Sequence, residues 1–144
     1  MKLTKDTKIL IVGLGLLGGS YAMALTKKGY TVKALTRSQS SIDYALEAGI
    51  IAEGKTGVDA DMIAEADLIV FSVYPRVLIE WMEQNRNLIK PGTVLTDVTG
   101  VKGYTVYRIQ SLIPEGAEFI SAHPMAGREF SGIDRSVSTL FEKA

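Results

Sequence analysis

The stretch KILIVGLGLLGGS, residues 8–20, does more than any other to limit what this chain can fold into. Lys8-Ile9-Leu10-Ile11-Val12 is a run of aliphatic and β-branched residues without polar alternation, the pattern of a strand buried on both faces of a parallel sheet. Gly13-Leu14-Gly15-Leu16-Leu17-Gly18 follows at once and is G-x-G-x-x-G set between a strand and a helix. Gly13 permits the tight turn out of the strand, Gly15 lets a pyrophosphate reach the backbone without meeting a Cβ, and Gly18 lets the helix lie close to the sheet. The helix start, with the backbone of Leu16 and Leu17, then turns its N–H groups and positive dipole end toward phosphates. With the strand before it and an amphipathic helix after it, the motif reads as a dinucleotide-binding turn rather than a purely structural one.

A chain of 144 residues is one domain, large enough to bury roughly 70% of the surface its unfolded form exposes. Sixteen basic and sixteen acidic residues cancel, so no positive field recruits nucleic acid or an acidic membrane. With no cysteine there are no disulfides, thiol nucleophiles or thiolate metal sites. The start, MKLTKDTK, lacks a signal-peptide apolar region, and no apolar run approaches a membrane span, so a cytoplasmic protein is expected.

In chain order, a helix is predicted over residues 16–28, with Leu17, Tyr21 and Leu25 as its apolar body, Lys27 and Lys28 at its negative end and Gly29 as its left-handed cap. Residues 30–35 read as the second strand, returning parallel to the first. In NAD-binding units an acid stands about 20 residues past the glycines and holds the ribose 2′-hydroxyl. Here the strand ends in Thr36-Arg37-Ser38-Gln39-Ser40-Ser41, with no carboxylate until Asp43. A guanidinium flanked by hydroxyls donates charge-assisted hydrogen bonds to a 2′-phosphate that a carboxylate would repel, so NADP is expected over NAD, through Thr36, Arg37 and Ser38. The alternative is a solvated turn in which a serine caps the next helix.

A short helix is expected over 41–48, with Ile42, Ala45 and Leu46 inward and Gly49 closing it, then a brief strand over 50–53 and a short helix over 59–65. Residues 67–73 are a buried strand, and in a doubly wound sheet Ser72, Val73, Tyr74 and Pro75 at its end flank the cofactor. Pro75 opens a helix whose core positions are Val77, Leu78, Trp81 and Met82, with Trp81 serving packing rather than chemistry. A strand over 93–96, a helix over 104–112 and a last strand over 118–122 complete a Rossmann-type α/β fold, a mainly parallel doubly wound sheet with helices on both faces.

That last strand delivers His123, the chain's one histidine, toward the same crevice as the glycine turn. There an imidazole can accept a proton from a substrate alcohol as hydride leaves, although a lone histidine is more often simply satisfied by backbone. No second histidine or cysteine exists to build a metal site with it.

The order GLGLLGGS, then DVTGVKG, then HPMAGREFSG resembles the N-terminal nucleotide-binding domain of prephenate dehydrogenases, with arogenate dehydrogenases as close neighbours. The resemblance covers essentially the whole chain, and the HPMAG segment followed by Ser131-Gly132 is its most specific part. It implies hydride transfer from the C4 carbinol of prephenate to the nicotinamide with loss of CO2, giving 4-hydroxyphenylpyruvate for tyrosine biosynthesis. It implies that His123 holds the C4 hydroxyl and assists its deprotonation, and that Arg37 falls where NADP-using members place a basic residue. Gly100 stands where the family often has a serine, so that contact is missing or taken over by Thr99. Arg128 replaces a small polar residue and either faces a substrate carboxylate or pairs with Glu129.

Family members continue into a helical domain that supplies the dimer interface and cations for the substrate carboxylates. The expectation is therefore one dinucleotide-binding domain over 1–144, loosely packed over 130–144, that binds nucleotide without turning over substrate alone, the longer form being a homodimer. Arogenate dehydrogenase, another reductase of this fold acting on imines or β-hydroxyacids, and a non-catalytic nucleotide sensor are the other readings.

Overall fold

The structure, a computed structural model, describes residues 2–98 and 103–121. Strands and helices alternate: β1 (Ile9–Val12), α1 (Leu16–Lys27), β2 (Val32–Thr36), α2 (Gln39–Glu47), β3 (Glu53–Thr56), α3 (Ala60–Glu65), β4 (Leu68–Phe71), α4 (Pro75–Asn85), β5 (Val94–Asp97), α5 (Tyr104–Leu112) and β6 (Glu118–Ser121). The six strands form one sheet in the order β3-β2-β1-β4-β5-β6, every pair parallel. The strand order therefore reverses direction between β1 and β4, which opens a crevice beyond their carboxyl ends.

Burial follows from the period of two along each strand. Ile9 and Ile11 of β1 pack with Val32, Ala34, Leu68 and Val70 beneath Ala22 and Leu25 of α1 and Ala45 of α2. Leu10 and Val12 face the other way, joining Leu35, Ile69, Phe71 and Leu95 against Met62 and Ile63 of α3, Leu78, Trp81 and Met82 of α4, and Ile109 of α5. Each fully buried aliphatic side chain of this kind contributes about 1.5–3 kcal/mol. Trp81 is indeed a packing residue: its ring meets Phe71 edge to face with centroids 4.9 Å apart.

Several local expectations are corrected. The face that α1 buries consists of Gly18, Gly19, Ser20, Ala22 and Leu25, while Leu17 and Tyr21 are half-buried at its margin. Small residues bring the helix axis close to the sheet and push the bulkier side chains to the flank. Leu46 is 43% exposed rather than inward. The brief strand expected at 50–53 lies at Glu53–Thr56. Ile50 and Ile51 serve instead in the turn after α2, where Ile50 N–H donates to Ala45 O (2.8 Å) and Gly49 N–H to Leu46 O (3.2 Å). That pairing is a Schellman cap, with Gly49 at φ +71° and an apolar residue folded back after it. The other shifts are of one or two residues: the second strand starts at Val32, the fourth ends at Phe71 and the fifth spans Val94–Asp97. Val77 is half-buried, and Ala122 lies outside the described residues.

Candidate functional site

The three motif glycines differ in what surrounds them. Gly13 has φ +98°, and a Cβ there would collide with the carbonyl oxygen of Ser72 and lie 2.9 Å from Val73 Cγ1. Its N–H donates to Leu35 O at 2.8 Å, fastening the turn to the end of β2. Gly18 lies in the first turns of α1, and a Cβ there would strike the carbonyl oxygen of Gly13 and come within 3.0 Å of Ser72 Cβ. Gly15 is the opposite case: its backbone is at φ −90°, ψ −153°, and a Cβ would meet nothing within 4 Å. The first two glycines are required because the fold fills the space beside them; the third borders space that the fold leaves open.

Gly15 is the N-cap of α1, with no side-chain capping bond, and the first turn, which includes Leu16 and Leu17, carries no acid. The positive end of the helix dipole is thus not offset by an acid from the helix's own first turn. That combination fits a diphosphate.

The ends of β2 and β4 flank this turn. Thr36 is half-buried, and its Oγ1 accepts the Leu14 N–H at 3.4 Å. Ser38 Oγ accepts the Ser41 N–H at 3.3 Å and shares a 2.7 Å hydrogen bond with Ser40 Oγ. Ser38 is thus the N-cap of α2, the capping role anticipated for one of the serines. Between them Arg37 is exposed and forms no ion pair among the described residues. Across β1, Ser72 N–H donates to Val12 O at 2.8 Å, and Ser72 and Val73 form the wall against which the glycine turn rests. Tyr74 is the N-cap of α4 and 81% exposed, and Pro75 occupies the first turn.

The fold therefore brings together Gly13, Gly15, Leu16, Leu17 and Gly18 with Thr36, Arg37 and Ser38 on one side and Ser72, Val73, Tyr74 and Pro75 on the other. The residues expected for chemistry, His123 and Thr99, together with Gly100, Arg128 and the 130–144 segment, lie outside the described residues.

Charge is distributed unevenly between the two ends of the sheet. At the amino end Lys33 Nζ lies 2.6 Å from Glu65 and 3.1 Å from Glu53, and Lys90 Nζ lies 2.7 Å from Asp67, which also accepts the Lys8 N–H at 2.9 Å. The hydrogen bond from Lys33 holds the Glu65 carboxyl below its ordinary range, as the one from Lys90 does for Asp67. The same bonds, Glu65 first and Glu53 second, raise Lys33. A cleft of about 180 Å³ opens there, lined by Lys5, Thr7, Lys33, Met62 and Glu65 among others, at the far end of the strands from the glycine turn. Its cations are largely committed to neighbouring carboxylates, whereas Arg37 at the carboxyl end pairs with none among the described residues.

One residue of interest was overlooked from sequence. Asp97, the last residue of β5, is fully buried. The available signal is a carboxylate directly after the strand expected over 93–96. Among the described residues no group of three His, Cys, Asp or Glu side chains could hold a metal, and no helix is long and apolar enough to cross a membrane.

Comparison with known proteins agrees with this geometry. Residues 21–144 match the family model described as prephenate dehydrogenase, nucleotide-binding domain. The prephenate dehydrogenase of Bacillus subtilis (strain 168) is 31% identical over 146 aligned residues, covering 100% of this chain and 39% of that protein. The crystal structure of prephenate dehydrogenase from Aquifex aeolicus in complex with hydroxyphenyl propionate and NAD+ superposes with a TM-score of 0.84 at 28% identity, covering 97% of this chain and 49% of that one. The Synechocystis arogenate dehydrogenase structure gives 0.83 at 30% identity, covering 93% and 46%. The chain thus spans less than half the length of these relatives.

Proposed function

This chain belongs to the prephenate dehydrogenase family, as its nucleotide-binding domain, and from that premise we propose that it is the dinucleotide-binding part of an enzyme that oxidatively decarboxylates prephenate to 4-hydroxyphenylpyruvate with NADP as hydride acceptor. The observation that carries the reading is the glycine turn, held against Ser72 and Leu35 by Gly13 and Gly18 while the space beside Gly15 stays open. The backbone at the start of α1 binds the pyrophosphate, and Ser72, Val73, Tyr74 and Pro75 line the crevice beyond it.

The preference for NADP rests on the end of β2. An NAD site needs an acceptor for the ribose hydroxyl there, and Thr36, Arg37 and Ser38 offer donors and a positive charge that is unpaired among the described residues. The Aquifex relative was crystallised with NAD+, so the two dinucleotides are the natural competitors in the assay.

Bound nicotinamide supplies the hydride acceptor. The chain's own contribution to chemistry is His123, whose neutral imidazole accepts the proton of the substrate hydroxyl as hydride departs, with Thr99 as the hydroxyl beside it and Arg128 toward a substrate carboxylate. The cationic groups for the remaining carboxylate recognition come from the additional domain that the relatives' length implies, through which the longer protein forms a homodimer. The primary test is calorimetric titration of the chain with NADP+ and NAD+. Tight binding of NADP+ supports the proposal; absence of binding by either dinucleotide overturns it.

A further inference from the structure

The serines that follow β2 are joined to one another. Ser38, the N-cap of α2, accepts the Ser41 N–H through its Oγ at 3.3 Å, and the same oxygen stands 2.7 Å from Ser40 Oγ. A serine hydroxyl has one proton to donate and lone pairs to accept with. The contact between the two oxygens therefore uses one of their two protons and leaves the other to point elsewhere. Ser38 is half-buried and held by the cap, whereas Ser40 is exposed. With Ser38 donating to Ser40, the remaining proton sits on the exposed hydroxyl, and each bond in the chain from Ser41 N–H through Ser38 to Ser40 polarises the next donor.

The surroundings select an anionic acceptor. Arg37, one residue before the cap, is exposed and pairs with no carboxylate among the described residues. The first turn of α2 carries no acid, and the first one along the helix, Asp43, accepts from Gln39 Nε2 at 2.9 Å. Thr36 Oγ1 is engaged on the other side, where it accepts the Leu14 N–H of the glycine turn. A phosphate group presents three acceptor oxygens, of which a guanidinium takes two side by side. The third calls for a short donor in a fixed position.

We propose that Ser40 is a further specificity residue for the phosphorylated dinucleotide, its hydroxyl donating to the ribose 2′-phosphate beside Arg37 while Ser38, as the helix cap, holds it in place. The inference rests on the reading that the chain takes NADP, and it moves the hydroxyl contact expected of Ser38 to Ser40.

Calorimetric titration of the 144-residue chain and of its Ser40→Ala, Ser40→Thr and Ser40→Asp variants with NADP+ and NAD+, at one fixed ionic strength, tests this. Ser40→Ala removes one hydrogen bond to a charged acceptor and is expected to weaken NADP+ about tenfold while changing NAD+ less than about twofold. Ser40→Thr, which keeps the hydroxyl, is expected to retain most of the preference for NADP+. Ser40→Asp, which sets a like charge against the phosphate, is expected to lose it and still bind NAD+. Unchanged NADP+ affinity in Ser40→Ala, equal weakening of both dinucleotides, or a preference that survives Ser40→Asp overturns the inference while leaving the NADP reading intact. A parent that binds NAD+ as tightly as NADP+ overturns that reading, and one that binds neither overturns dinucleotide binding itself; the inference falls with either.

Discussion

Gly18 lies so close to the carbonyl of Gly13 that the space a side chain would need at position 18 is already filled by that oxygen. The contact locks the start of α1 onto the turn leaving β1, and Ser72 closes the same gap from β4, with its Cβ 3.0 Å from where the Gly18 Cβ would be. Three consecutive strand ends of the sheet, those of β2, β1 and β4, are joined at this point, because Gly13 also donates to Leu35 O. Stability and ligand access are thus assigned to different glycines of one motif.

Gly18→Ala therefore serves as a stability probe. Forcing a methyl group into this contact costs about 1–3 kcal/mol, of which the better helix propensity of alanine returns at most about 1 kcal/mol. Urea denaturation is expected to show a lower midpoint at unchanged slope. A variant as stable as its parent would mean that the turn relaxes freely.

Gly15→Val has the converse outcome. A Cβ at position 15 meets no protein atom within 4 Å, so the circular dichroism and unfolding midpoint should match the parent, apart from a small backbone effect. The branched side chain occupies the space assigned to pyrophosphate, and calorimetry should detect binding of neither dinucleotide. Normal affinity in a folded variant would remove the basis for the ligand assignment.

Arg37→Ala tests cofactor choice. Loss of hydrogen bonds from a charged donor costs roughly 1.5–3 kcal/mol, so NADP+ affinity should fall about tenfold to a hundredfold while NAD+ is spared. Equal affinities of the parent for both dinucleotides would count against the NADP assignment before any variant is made.

The ion pairs at the amino end predict the response to acid. Glu65 and Asp67 are held below their ordinary values of 4.5 and 3.8, so the unfolded chain takes up protons before the folded one does. Their contribution is complete above those values and is lost as pH falls through the lowered ones. Lys33 is raised, so its share persists to its ordinary 10.5 and disappears above it. Glu65→Gln should flatten the acid limb of unfolding free energy against pH, by no more than about 1 kcal/mol because the pair is partly exposed. Identical limbs in parent and variant would show that the pair contributes nothing measurable.

Chemistry is testable in a chain extended to the relatives' full length. His123→Asn keeps a hydrogen-bonding group without a basic nitrogen, and kcat/KM should drop by about 10²–10⁴ with loss of the acid limb of the pH profile. Nucleotide affinity should barely move. Thr99→Val is the companion variant, since Gly100 offers no hydroxyl of its own. Nearly full turnover in His123→Asn would reduce the histidine to a residue that shapes the strand end.

Much of this was legible in residues alone, because local patterns carry their own physics. The unbroken run Ile9–Val12 suits a strand covered on both faces, the spacing of Gly13, Gly15 and Gly18 already pointed to a turn into a helix, and Pro75 marked a helix start. The bare stretch Thr36-Arg37-Ser38 stated the absence of an acid without any coordinates. Tertiary structure decided what depends on residues distant in the chain. It supplied the partners behind the separate roles of the motif glycines: a Cβ at Gly18 would strike the Gly13 carbonyl and Ser72, whereas one at Gly15 would meet nothing within 4 Å. It turned Leu46 outward and Ile50 inward, because the cap after α2 reverses the chain and the next strand enters three residues later than periodicity suggests. It also buried Asp97, a residue whose polarity marks it as a loop former in sequence, since the neighbours that enclose it, Phe71 among them, come from strands and helices that only folding brings beside it.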